Sequence, residues 1–523
     1  MEQTHLYSSH HNVNLLTAAL LAHNIRHVVV CPGSRNAPIV HNLQVNGDFS
    51  LYSVTDERSA AFVALGLWLK VRTGVALCVT SGSALLNTLP GVAEAALRNI
   101  PLVVISADRP QEFHGILDGQ TLPQQGALLP YIRTWQVNEC TLEEDRDCRA
   151  TLHEAFRGFS TAVPQAIHLN VPISEPLFTF DVEQLPNFDC AVPQIELKSN
   201  SDLLELWKTI LVQAKCPVLV IGQVDDPKLL PVVNRLKEQH QLLVYAECLS
   251  QCHDHRVALW LDEHEEVVPD VLIHCGGCFV NKQFKQRLRK SAQLQVLRLD
   301  AADEHLSANG CAQQCPDTFF KQPDWLRVSQ PWKVLELAEC LPQNEQVHQI
   351  YAQLPESTPL SLDCEALFVG NSRAVRVVNR HWQVVNFPIY GNRGTNGIEG
   401  SLSVAAGYAM ASTGKVLCIL GDLSFFYDVN ALWNRQLDGR LRILLLNNGR
   451  GDIFYALPGL NASPALPDYV AATHQTTARG IADSYHCIYH SATADNMEEA
   501  LDQYTTALLA LPADRPVLFE IFI

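Results

Sequence analysis

No apolar run in this 523-residue chain approaches the ~18 residues that a membrane-spanning helix needs. Basic charge is also short. Lys and Arg number 38 against 55 Asp and Glu, so the formal net charge is −17 with His neutral. Binding nucleic acid along the surface needs a basic face, and that class is set aside. The first residues, Met1-Glu-Gln-Thr-His-Leu-Tyr-Ser-Ser-His, hold neither a basic n-region nor an apolar h-region, so a secretory signal is not expected there. Cysteine is sparse at 16 residues, and Cys78 and Cys418 sit inside apolar runs. That pattern points to buried free thiols and a cytoplasmic location, not to a disulfide scaffold. Short-period repeats, low-complexity tracts and the Gly-x-Gly-x-x-Gly of dinucleotide sites are all missing.

What is present is a recurring unit: a short apolar run, a Gly/Ser/Asp turn, then a helical pattern. His27-Val-Val-Val-Cys31, Val75-Ala-Leu-Cys-Val-Thr80 and Leu102-Val-Val-Ile105 begin such units. The pattern returns at 217–221, 242–245, 271–274 and 296–299, and again at 416–420, 443–446 and 517–521. Near-continuous apolar strands imply parallel sheets covered on both faces, an α/β fold. Two Pro-bearing stretches, 172–201 and 316–345, read as linkers. The expected domains are therefore 1–180, 195–325 and 345–523, each a doubly wound parallel sheet.

In the last domain, Gly421-Asp422-Leu423-Ser424 and Asn447-Asn448-Gly449 each follow an apolar strand, about 26 residues apart. Right-handed crossovers place both turns at the carboxyl edge of one sheet, where α/β proteins bind ligands. An Asp carboxylate and an Asn carbonyl are hard oxygen donors suited to Mg²⁺. Ser424 and the amides after Asp422 lie where a helix starts, a place for an anion. This pairing resembles the diphosphate-binding signature of thiamine diphosphate (ThDP) enzymes. The resemblance implies that Asp422, Asn448 and the Arg450 carbonyl hold Mg²⁺ or Mn²⁺, although the family usually has Gly where Arg450 stands. It also calls for a glutamate on the aminopyrimidine ring. Glu57 is the candidate, in the first helical turn after Asp56, itself a good cap. Desolvation of Glu57 by bound cofactor would raise its pKa. The resemblance further implies the order pyrimidine domain, middle domain, diphosphate domain, with cofactor sites at a subunit interface of a homodimer or homotetramer.

Four segments place Arg beside Gly, Asn or Ser: Gly33-Ser34-Arg35, Asp108-Arg109, Gly370-Asn371-Ser372-Arg373-Ala-Val-Arg376 and Asn392-Arg393-Gly394. Arg binds carboxylates in bidentate fashion, so four in an acidic chain suggest a pocket for more than one carboxylate. Together with Asp-Glu-Arg58, Thr80-Ser-Gly-Ser-Ala, Asn-Arg-Gly-x-x-Gly-Ile398 and Gly-Asp-Leu-Ser-x-x-Tyr-Asp428, these segments resemble the 2-succinyl-5-enolpyruvyl-6-hydroxy-3-cyclohexene-1-carboxylate synthases of menaquinone biosynthesis. The resemblance spans all three domains. It implies decarboxylation of 2-oxoglutarate and addition of the succinyl carbanion equivalent to isochorismate. It implies Ile398 under the cofactor, and Ser372, Arg376 and Arg393 on the 2-oxoglutarate part. Ser34, Arg35, Arg109 and Gln120 would contact isochorismate, with Ile453 and Phe454 as an apolar wall. Gly119 stands where Asn is common, and Lys282 stands where relatives carry Arg one position later. The alternatives are another ThDP-dependent 2-oxoacid decarboxylase or carboligase, and an inactive ThDP-fold binding module. The cysteines at 248/252, 275/278 and 311/315, near His253 and His255, are too irregular in spacing to predict zinc.

Overall fold

The structure is a computed structural model, and it describes residues 6–159, 165–190, 201–225, 230–291, 294–301, 324–328, 335 and 341–523. Three parallel sheets organise them. The N-terminal sheet runs Ser50–Ser53, His27–Val30, Val75–Val79, Leu102–Asp108, Ile167–Pro172, Thr134–Gln136. The middle sheet runs Leu243–Ala246, Pro217–Ile221, Val271–Cys275, Gln295–Ala301, Asp324–Val328. The C-terminal sheet runs Ile389–Tyr390, Ala366–Val369, Val416–Gly421, Leu441–Asn447, Val517–Phe522, Ile488–Thr493. Val75–Val79 and Leu441–Asn447 are buried at every position, as strands covered by helices on both faces must be. Cys78 and Cys418 are buried free thiols within such strands. Burial pushes the Cys78 thiol up to about 12, so it stays protonated at neutral pH.

The Pro-bearing stretches are less linker-like than their composition implies. Phe180–Val182 pairs antiparallel with Tyr7–Ser8, and the Phe180 ring stacks on His41. The stretch from 172 to 182 is thus fastened to the N-terminal unit by a separate two-stranded sheet. Asp324–Val328 pairs with Gln295–Ala301, so the middle sheet extends into the second stretch. Proline density marks where helices cannot continue, but it does not forbid edge strands. Cys311 and Cys315 lie outside the described residues. Among the described residues no group of three or more His, Cys, Asp or Glu could hold a metal ion. No helix among them is long and apolar enough to cross a membrane.

The N- and C-terminal sheets meet through two helices, Glu57–Val71 and Ser401–Ala411. Glycine makes the approach possible. A Cβ on Gly66 would stand 2.0 Å from the Val404 carbonyl oxygen, and one on Gly407 would stand 2.1 Å from that of Val63. Backbone cannot yield as a side-chain tip can, so the helices would separate. Gly407→Ala is expected to lower stability by about 3 kcal/mol. Thermal unfolding beside a Gly480→Ala control, whose Cβ meets nothing within 4 Å, checks this. Equal midpoints would refute the contact.

One buried guanidinium ties all three sheets together. Arg98 reaches Asp225 of the middle unit at 2.7 Å, Glu94 on its own helix at 3.3 Å, and Asn392 Oδ1 at 3.4 Å. Glu94 in turn accepts from the Gly394 and Thr395 amides and the Thr395 hydroxyl. The Asn392–Thr395 turn, which carries Arg393, is therefore held by residues some 300 positions earlier in the chain. Each carboxylate is paired, which such deep burial requires.

Candidate active site

Val416–Gly421 and Leu441–Asn447 are adjacent parallel strands, and the two turns that follow them meet at one sheet edge. Asp422 begins the Asp422–Tyr427 helix and is 3% exposed. Its Oδ1 accepts from the Leu423 amide at 2.7 Å. Its Oδ2 accepts from the amides of Asn448, Gly449 and Arg450 at 3.1, 2.7 and 3.2 Å. Gly449 has φ +70°, and a Cβ there would stand 2.8 Å from the His474 carbonyl, so glycine is required. The two asparagines divide their work. Asn447 turns inward, donating to Glu520 at 2.7 Å and to the Thr476 carbonyl at 3.0 Å. Asn448 faces the turn.

The Asn448 side-chain oxygen sits 3.2 Å from Asp422 Oδ2 and 2.8 Å from the Arg450 carbonyl oxygen, with only acceptors around it. Reversing the amide would let nitrogen donate to both. The Asp422 carboxylate, the Asn448 amide oxygen and the Arg450 carbonyl are hard oxygen donors gathered at one turn, a chemistry that suits a divalent cation. Burial pushes the Asp422 carboxyl above its ordinary range, opposed by the Leu423 amide, by His474 and by the amides of the turn. A cation would favour the charged form. His474 escaped the sequence reading, since nothing around it marks a site. Its Nδ1 accepts from the Thr476 amide, leaving Nε2 to carry the proton 3.5 Å from Asp422 Oδ2.

Glu57 is half-buried in the first turn of its helix, with Asn87 Nδ2 at 3.5 Å. Asp56 caps that helix, accepting from the Arg58 and Ser59 amides. Its other oxygen accepts from Asn430 at 2.8 Å, tying the cap to the C-terminal unit. Burial raises the nearby Cys31 thiol well above its ordinary value, and the Glu57 charge adds to that push. Ile398 is 36% exposed.

The arginines form two groups. Arg35 is buried, donating to the Ile173 carbonyl at 2.9 Å and to Glu175 at 3.4 Å. Desolvation and then the charge of Arg109 lower its pKa. Arg109 pairs with Asp118 at 2.7 Å. Ser34 and Gln120 are exposed, and the Gln120 backbone, at φ +57°, packs over Gly82. In the second group Arg393 donates to Asn371 Oδ1 at 3.1 Å, and Arg376 donates to the Ser372 carbonyl. Partial desolvation, then repulsion from Arg393, lowers the pKa of Arg376. Asp452 bridges Arg373 at 2.6 Å and Arg450 at 3.0 Å. That bridge sets the Asp452–Phe454 turn, with half-buried Ile453 and Phe454, between the Arg450 loop and the start of the Arg373–His381 helix. Lys282 is exposed at the first position of the Lys282–Lys290 helix.

Residues 11–128 match the family described as thiamine pyrophosphate enzyme, N-terminal TPP binding domain. A solved structure from Mycobacterium smegmatis, described as thiamin diphosphate-dependent, superposes with a TM-score of 0.69 over 98% of this chain and 99% of its own, at 17% identity. The domain match and the shared fold are those of thiamine diphosphate enzymes. Two curated relatives narrow the class. The 2-succinyl-5-enolpyruvyl-6-hydroxy-3-cyclohexene-1-carboxylate synthases of Bacteroides thetaiotaomicron and Phocaeicola vulgatus are 34% and 35% identical, over 99% of this chain and 96% of each of theirs. The chain belongs to that synthase family.

Proposed function

We propose that the protein decarboxylates 2-oxoglutarate and joins the remaining four-carbon unit to isochorismate, giving 2-succinyl-5-enolpyruvyl-6-hydroxy-3-cyclohexene-1-carboxylate and CO₂ in menaquinone biosynthesis. The observation that carries this reading is near-full-length identity to synthases of that name. Bound ThDP supplies the electron sink that lets a 2-oxo acid lose CO₂. Asp422, Asn448 and the Arg450 carbonyl would hold Mg²⁺ or Mn²⁺, beside the diphosphate at Leu423 and Ser424. Glu57 would hold a proton shared with the aminopyrimidine ring, and Ile398 would support the cofactor. Ser372, Arg376 and Arg393 take the 2-oxoglutarate part in this reading. Ser34, Arg35, Arg109, Gln120 and Lys282 take isochorismate, against Ile453 and Phe454. The active unit is a homodimer or homotetramer in the cytoplasm, with sites completed across subunits.

Incubation with ThDP, Mg²⁺, 2-oxoglutarate and isochorismate tests this. The expected result is CO₂ together with a product of the synthase's mass. CO₂ without that product would select a simple decarboxylase, and no turnover would select a binding module. Arg393→Ala is expected to raise the KM for 2-oxoglutarate about tenfold, with little change for pyruvate. Equal effects on both substrates would remove Arg393 from the distal carboxylate.

A further inference from the structure

The turn that carries Arg393 is gripped by residues of all three units. From the middle unit, Gln223 Nε2 donates to the Gly391 carbonyl at 2.6 Å. From the C-terminal unit, Asn371 Nδ2 donates to the Asn392 and Gly397 carbonyls at 2.7 and 2.6 Å, while its Oδ1 accepts from Arg393 Nη1 at 3.1 Å. The N-terminal unit supplies a carboxylate. Glu94 lies fully buried in the Leu89–Leu97 helix. Its Oε1 accepts from the Gly394 amide at 3.1 Å. Its Oε2 accepts from the Thr395 amide at 2.7 Å and from the Thr395 hydroxyl at 2.9 Å.

The two oxygens of one carboxylate thus take the two amides that directly follow Arg393. Glycine at 394 leaves room for them, since a Cβ there would stand 2.9 Å from Glu94 Oε2 and 3.1 Å from Leu97 Cβ. Arg98, four residues on from Glu94, holds the carboxylate from behind, is itself held by Asp225, and donates to Asn392 Oδ1. The residues on both sides of Arg393 are therefore tied to the same helix end. Hydrogen bonds from backbone amides to an ionised carboxylate are among the strong ones, and a carboxylate with both oxygens engaged has little freedom to swing. A guanidinium that meets a carboxylate in bidentate fashion needs its backbone placed to within about 0.5 Å. Asn371 orients one end of the Arg393 side chain, and Glu94 sets the backbone from which that side chain springs.

We propose that Glu94 is a positioning residue for the 2-oxo diacid: by fixing the Gly394 and Thr395 amides it sets how the Arg393 guanidinium meets the distal carboxylate. The inference rests on the reading of Arg393 given above. It makes substrate selection in the C-terminal unit depend on a helix of the N-terminal unit. Thr395, whose hydroxyl gives Glu94 a third donor from the turn, belongs to the same device.

The test measures CO₂ release by holoenzyme from 2-oxoglutarate and from pyruvate, which lacks the distal carboxylate. Glu94→Gln turns an NH₂ toward donors that the carboxylate satisfied, and is expected to raise the KM for 2-oxoglutarate relative to that for pyruvate about tenfold. Thr395→Val loses only the hydroxyl bond and is expected to raise that ratio about threefold, with a smaller change in kcat, while Thr395→Ser keeps the wild-type ratio. A merely structural role would move both substrates together. In an Arg393→Ala background, Thr395→Val is expected to add nothing to the ratio, because both changes act through one group. An unchanged ratio in Thr395→Val or in folded Glu94→Gln, where Arg393→Ala raises it, overturns the proposal. Full additivity of Thr395→Val with Arg393→Ala overturns it too. A ratio that Arg393→Ala itself leaves unchanged would instead overturn the reading of Arg393 on which this one stands.

Discussion

Glu57→Gln is expected to reduce turnover about 10³-fold while ThDP still binds. Glutamine keeps the length and one acceptor of glutamate but cannot share a proton with a ring nitrogen. The helix should survive the change. Its cap is Asp56, whose carboxylate is held by two helix amides and by Asn430, and Glu57 adds only a dipole interaction of ~0.5 kcal/mol. Calorimetry of ThDP binding beside CO₂ release separates binding from chemistry. Wild-type-like rates would remove Glu57 from the reaction.

Asp422→Ala is expected to weaken ThDP binding in Mg²⁺ about 100-fold or more. The carboxylate does two jobs. One oxygen stands in the three-oxygen set, while four backbone amides lean on the pair. Alanine strands those amides, at about 1–3 kcal/mol for each one left buried and unpaired. Asp422→Asn keeps the shape and one acceptor but removes the charge, so it separates the two jobs. Its turn should stay folded while its Mg²⁺-dependent affinity still falls. Affinity unchanged by Mg²⁺ removal in the wild type, or equal in wild type and Asp422→Asn, would dismiss the metal site.

Much of this site is legible in sequence because its parts are local. Asp422 is read from a strand that ends in Gly-Asp, and Asn448 from the next strand. Adjacency of those strands follows from crossover geometry. The choice of Asn448 over its neighbour came from the family resemblance, and turn chemistry alone does not make it. Asn447 and Asn448 are the same residue type at consecutive positions, and only the packing of Glu520 and the Thr476 carbonyl against one frees the other. On the Lys282–Lys290 helix the fold buries Phe284 and carries Lys285 to Cys278, a contact that spacing alone does not announce. His474, near Asp422 in space, and the Glu94–Arg98–Asp225 node had no signal at all. Each is a common residue in an unremarkable run, and its partners lie far along the chain.

Periodicity and turn chemistry were enough to read the parallel α/β class, the three successive units and the strand-end turns, and they offered candidate residues for metal and carboxylates. All of these are signals carried within a few residues. Which distant side chains meet was settled by the packing of the units. Arg393 and Cys278 are 115 residues apart, and Glu94 and Thr395 are 301 apart. Contacts of that separation are fixed by how closely whole sheets and helices can pack, as Gly66 and Gly407 do for two of them.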